Sequence, residues 1–237
     1  MSSILKTFYH HGLKKSLKFK SITRQNLKEV ALQQSKIFLE REPVVYSLNL
    51  KVDQLSRLIF EPIAYASVKH DLGIAVYDED KLIASTCNED VFEPAEIDCV
   101  NPQSKAICKL LEYIENKAFE KIGHPKKKGE YLHMVTSAVE KEYGRYGIFT
   151  DIKEYIKNDY PNKTNFKKII AEPTNNFSMK GNVKAGFTEV VSISYTELAD
   201  KHEDLEIFRN VRKTFHDKFG SDIGEKIGVY EYNFIKK

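Results

Sequence analysis

Tyr131-Leu132-His133-Met134-Val135-Thr136-Ser137-Ala138-Val139 runs straight into Glu140-Lys141-Glu142-Tyr143-Gly144-Arg145-Tyr146-Gly147-Ile148-Phe149-Thr150. The first nine residues are an apolar strand; the helix after them starts at Gly147 and runs to Lys157, ended by Pro161. This order leaves several backbone N–H groups without partners at a helix start. Those donors and the helix dipole favour a bound anion, and glycine lets the anion approach the backbone closely. Plain turn geometry explains two glycines equally well, so the neighbouring segments decide between the two readings.

Working outward, Phe166–Ala171 reads as the next strand, Phe177–Ala185 as a short helix closed by Gly186, and Phe187–Tyr195 as strand again. Upstream, Leu72–Tyr77 and Lys81–Glu89 form a hairpin around Asp78-Glu79-Asp80. Asn101 caps a helix with Pro102 at its first position. An early helix is expected from Thr23, with Leu27, Val30, Ala31, Ile37 and Phe38 on one face, stopping before Pro43. Another follows Val52 and breaks at Pro62. Leu205, Phe208 and Val211 mark a penultimate helix, and Lys226–Ile235 a final strand. Strands and helices mix without a linker, which predicts one α/β domain over 13–237 behind an N-terminal extension, 1–12. That extension belongs to an acid-free stretch, Met1–Lys28, and both organelle targeting and a strand at Leu17–Ile22 are compatible with it.

Composition excludes several classes. The net charge of +3, from 37 basic and 34 acidic residues, is too even for a nucleic-acid partner. No apolar run approaches the roughly 20 residues of a membrane span, and cytoplasm is the expected location. Cys87, Cys99 and Cys108 lack metal-like spacing and read as free thiols, and no metal site is expected. The lysine-rich loop Pro125–Gly129 reads as solvated or as a phosphate contact, and His133 as a core histidine or a base.

The loop resembles the coenzyme A loop of the Gcn5-related N-acetyltransferase superfamily, whose pattern is Arg/Gln-x-x-Gly-x-Gly/Ala after an apolar strand. Gly147 matches the central glycine, Gly144 stands where arginine or glutamine is usual, and Phe149 replaces the last small residue. A second block, Asn175–Phe187, looks like the superfamily's later motif through Asn175, Ser178 and Gly186-Phe187. Asn182 takes the place of a tyrosine that serves there as acid toward the thiolate. Glu40-Arg41-Glu42-Pro43 is similar to the Glu-Pro block of the arylalkylamine (dopamine-type) branch, whose glutamate before proline is the proposed base.

The resemblance implies an acyl-CoA N-acyltransferase fold: an α/β, mixed and mostly antiparallel sheet flanked by helices, with the Tyr131–Val139 and Phe166–Ala171 strands parallel and splayed. It implies acetyl-CoA as cosubstrate, held by Ser137, Ala138, Val139, Gly144, Arg145, Tyr146, Gly147, Ile148, Phe149 and Asn175. The acetyl group would pass to a small-molecule primary amine, with Glu42 as base and Thr174 and Ser178 as the hydroxyls beside it. Ser178 either relays a proton or caps the late helix. Aromatic residues around Tyr46 and Phe60 would wall the acceptor pocket. A catalytically weak coenzyme A-binding module, or an enzyme acting on a protein or peptide amine, stays open, as does the oligomeric state.

Overall fold

The run Tyr131–Val139 is strand β5, a central strand of an eight-stranded sheet in the computed structural model, which describes residues 3–219 and 224–234. The other strands are β1 (Ile4–His10), β2 (Lys15–Ser21), β3 (Ile74–Asp78), β4 (Lys81–Asp90), β6 (Lys168–Ala171), β7 (Thr188–Ser194) and β8 (Lys226–Asn233). Their order is β1-β2-β3-β4-β5-β6-β8-β7. Among the described residues only β5 and β6 pair in parallel; the other pairings are antiparallel.

The parallel pairing is short. Tyr131–Met134 faces Lys168–Ala171, and beyond Met134 strand β5 keeps only its β4 neighbour. A register shift opposite Cys87 and Asn88 passes over Val135, and such a bulge bends the strand and turns its side chains locally. The two strands therefore part, as the splayed arrangement requires, and the gap between them is where the functional site forms.

Helices cover both faces because each face of the sheet is apolar. On one side pack α1 (Leu27–Arg41), α2 (Pro43–Ser47), α3 (Val52–Leu55), a π-turn at Ser56–Phe60, α4 (Glu61–His70) and α5 (Pro102–Ile122). On the other lie α6 (Ile148–Asp159) and α7 (Asn176–Lys184), over a core that includes Phe19, Ile74, Ile152 and Ile169. Helices α8 (Tyr195–Lys201) and α9 (Val211–Phe219) extend the first layer.

Several boundaries differ from expectation. The expected extension 1–12 is not outside the fold: Ile4–His10 pairs along β2 as an edge strand, while residues 1 and 2 lie outside the described residues. Helix α1 starts after Asn26, since Thr23 instead closes a turn whose amide bonds the Asn26 side chain at 2.7 Å. The expected penultimate helix divides into a 3-10 segment, Glu203–Phe208, and α9. The last strand ends at Asn233, and Ile235 lies outside the described residues.

Candidate active site

The loop after β5 begins with a 3-10 turn at Lys141–Tyr143 and ends at Gly147, the α6 N-cap, with φ +83°. That left-handed conformation is strained for any residue with a Cβ, which is the local reason for glycine there. The amides of Tyr143 and Gly144 turn back onto the carbonyls of Glu140 and Lys141, and those of Thr150 and Asp151 onto Gly147. The Ile148 and Phe149 amides thus stand ahead of the first intrahelical bond, where an anion is favoured.

A cavity of about 600 Å³ lies over this loop, lined by Arg41, Lys141, Glu142, Gly144, Arg145 and Tyr146. Arg41, from the last turn of α1, brings its guanidinium over Gly144 and donates to the Val139 carbonyl at 3.5 Å. The sequence reading did not include this cation, although it stands immediately before Glu42. Ile148 was expected as a cofactor contact, but its side chain is 1% exposed in the core, so only its amide can reach the cavity. His10 at the end of β1 braces the loop: its Nε2 donates to the Tyr146 carbonyl at 3.0 Å, and its Nδ1 accepts from the Leu13 amide.

A larger cavity, about 710 Å³, fills the splay between β5 and the segment after β6. Ser137, Ala138 and Val139 form one edge; the Ser137 hydroxyl also bonds that of Thr86 at 2.9 Å. Apolar side chains including Phe38, Ile59, Phe60 and Leu110 wall the far end, while the Tyr46 expected beside Phe60 is not among the lining residues.

Glu42 faces this cavity and is buried, 7% exposed. It closes α1 and caps α2, accepting from the Val44 and Val45 amides at 3.1 and 2.5 Å, with Pro43 next in α2. Thr174 donates its hydroxyl to the same carboxylate at 2.5 Å, and Tyr195 donates to the Thr174 carbonyl. Burial raises the Glu42 pKa against those three hydrogen bonds, the direction a general base near neutrality needs.

The Asn175 side chain caps α7, accepting from the Phe177 and Ser178 amides at 3.0 and 2.9 Å. Ser178 lies inside the first turn and donates to the Asn175 carbonyl at 2.9 Å, so the cap is Asn175 and not the serine. Phe149 does not cover the loop. Its ring lies between α6 and α7 against Gly181, where an added Cβ would meet it at 3.6 Å.

One further group was not foreseen. Lys153 is 1% exposed, lines the cavity, bonds the Asn182 side-chain oxygen and sits 4.1 Å over the Phe149 ring. Burial, and then the Lys157 charge, lower its pKa to about 7. In sequence it is one lysine of an amphipathic helix, and nothing local distinguishes it. His133 is likewise more than a core residue: it lies among Glu89, Glu115 and Glu172, with nitrogen–oxygen distances of 3.3, 3.7 and 3.5 Å. Burial, and then the Glu172 charge, push Glu115 up to about 8.

No protein-family profile and no curated protein sequence matches the chain. Solved structures do. A protein described as a candidate arylalkylamine N-acetyltransferase 7 from the yellow fever mosquito Aedes aegypti superposes with a TM-score of 0.76 at 14% identity, covering 99% of this chain and 96% of that one. The C-terminal condensation domain of Ebony, in complex with β-alanyl-dopamine, gives 0.74 at 15% identity over 92% and 98%. A Drosophila melanogaster polyamine N-acetyltransferase gives 0.63 at 11% over 92% and 99%. Together with the eight-stranded order and the single parallel pair, these likenesses show that the chain has the acyl-CoA N-acyltransferase fold.

Proposed function

We propose that this chain is an acetyl-CoA-dependent N-acetyltransferase of the Gcn5-related superfamily, acting on the primary amine of a small acceptor, arylalkylamines first. The observation that carries the proposal is convergence on one gap. The loop of free amides, the edge Ser137–Val139 and the buried Glu42–Thr174 pair all meet where β5 and β6 part.

In this reading the pyrophosphate lies on the Ile148 and Phe149 amides, with Arg41 and Arg145 as counter-charges. The pantetheine arm enters the splay and pairs with the free edge of β5, whose amides also face the thioester oxyanion. The acceptor comes from the apolar end. A cavity of about 710 Å³ suits a small molecule, within the usual range of ~300–1,000 Å³. The amine nitrogen attacks the thioester carbonyl, and Glu42, oriented by Thr174, takes the ammonium proton as the carbon–sulfur bond breaks.

Asn182 has no proton to give in the way the family's tyrosine does, but it holds Lys153. With a pKa of about 7, Lys153 is the side chain suited to protonate the departing thiolate. Ser178 already gives its proton to Asn175, which ranks it below Lys153 for that role.

A thiol-release assay over dopamine, serotonin, tyramine, polyamines and amino acids tests the proposal. Turnover with aromatic amines supports it; coenzyme A binding with no turnover on any amine selects a binding module instead. A second reading follows from Gly144, which lacks the usual side chain of the loop, and from the likeness to the Ebony domain. The donor would then be an aminoacyl thioester and the product an aminoacyl amide. Comparing acetyl- with β-alanyl-thioesters separates the two.

A further inference from the structure

Sheet pairing sets His133 of β5 directly opposite Glu89 of β4. On the other side His133 pairs with Ile170 of β6, and Glu172 follows two residues later, on the same face under the strand alternation. Helix α5 packs over that face through Ile114 and Leu110, which brings Glu115 onto the same spot. Three distant segments thus deliver two carboxylates and an imidazole whose ligand atoms all lie within 4.8 Å of one another.

The histidine is oriented from behind. Its Nδ1 lies 3.3 Å from the Glu89 carboxylate and 3.7 Å from that of Glu115, and the second Glu89 oxygen accepts from the Ala95 amide at 2.8 Å. A carboxylate on one ring nitrogen fixes the tautomer and turns the other nitrogen toward a metal, the arrangement found behind metal-bound histidines. The nitrogen turned forward here is Nε2. It is buried, has no hydrogen-bond partner, and points at Glu172, whose own Oε1 is also buried and unpartnered. His133 is 4% exposed and the Glu172 side chain 3%, so water does not satisfy these atoms cheaply. Among the described residues no lysine or arginine forms an ion pair with Glu89, Glu115 or Glu172, and His133 is the basic group that faces all three.

The geometry points to a divalent-cation site in which His133 Nε2, Glu115 and Glu172 are the ligands and Glu89 is the positioning residue. A nitrogen and carboxylate oxygens suit Zn²⁺, Mn²⁺ or Co²⁺ over the soft, thiolate-seeking ions. The ion would pin α5 to β5 and β6 next to the gap, and Glu172, which lines the larger cavity, would set it at the cavity wall. This proposal does not rest on the acetyltransferase reading.

The test uses the full chain stripped with a chelator, titrated with Zn²⁺ by calorimetry and with Co²⁺ by visible absorption. One ion per chain is expected, with a rise in melting temperature. His133→Asn and Glu172→Gln should abolish both signals, and Glu89→Gln should weaken binding ~10–100-fold. Glu115→Gln, at a half-buried position, provides a milder variant if either of the first two fails to fold, with circular dichroism as the check. The proposal is overturned by the absence of stoichiometric binding at micromolar metal, or by binding unchanged in these variants. It is equally overturned if metal is ignored while a diamine binds in a Glu172-dependent way, because the cluster would then be an ammonium pocket.

Discussion

Replacing Lys153 by methionine should make the protein more stable at neutral pH and less stable at high pH. The Lys153 pKa is held at about 7 against an ordinary 10.5, which corresponds to ~5 kcal/mol in favour of the neutral form, at about 1.36 kcal/mol per pKa unit. Because the folded pKa is the lower one, the unfolded chain binds more protons between those two values. Folding is therefore penalised in full below pH 7, and the penalty fades as pH rises toward 10.5. At pH 7 the group is half neutral, and the remaining cost is ~4 kcal/mol by the same linkage.

Methionine removes that cost but leaves the buried Asn182 oxygen without its donor, a loss of ~1–3 kcal/mol. The balance is roughly 2 kcal/mol of added stability at pH 7, or about 4–8 °C in melting temperature for a chain of this size. Near pH 10.5 the first effect is gone and only the Asn182 loss remains, so the sign reverses. Urea and thermal unfolding of both proteins at three pH values between 7 and 10.5 measure the difference directly. A difference that does not change with pH would refute the buried-amine reasoning. Equal destabilisation throughout would do the same.

The catalytic counterpart is that Lys153→Met lowers kcat ~10²-fold or more while leaving the KM for acetyl-CoA nearly unchanged, as expected for a proton donor to the leaving group. Glu42→Gln should cost ~10²–10⁴ in kcat. In the wild type the rate should fall as pH drops through the raised Glu42 pKa, above the ordinary carboxylate range, and that limb should vanish in the variant. Arg41→Ala should raise the KM for acetyl-CoA roughly 5–10-fold with kcat unchanged, since a phosphate contact is uniform binding; a kcat effect would place Arg41 elsewhere. The Cys99 and Cys108 sulfurs lie 2.6 Å apart as free thiols, next to Ile97 and Ile107 of the cavity wall. A diazene oxidant should therefore link them, as seen in the intact mass, and Cys99→Ser should block the link.

The parts of this fold that a single segment specifies were readable. The apolar strand β5, its glycine turn, Asn101-Pro102 and Glu42-Pro43 each carry their structural reason within a few residues. Even there, burial was not local: the Glu42 carboxylate accepts from Thr174, whose carbonyl accepts from Tyr195, and both residues come from beyond β6. Strand β1 was missed because an edge strand needs only a weak apolar alternation, and Ile4 and Tyr9 are in fact exposed. Lys153 and Arg41 were missed for a related reason, since a cation on an amphipathic helix reads as solvated until the helices facing it are known. The Glu89–Glu115–His133–Glu172 cluster lay furthest from reach, with β4, α5, β5 and the segment after β6 contributing one residue each.

Calorimetric titration of the full chain with acetyl-CoA asks whether the gap between β5 and β6 holds the cosubstrate. One saturable site per chain is expected, competed by coenzyme A and weakened by Arg41→Ala and by salt. No heat at millimolar acetyl-CoA would contradict it.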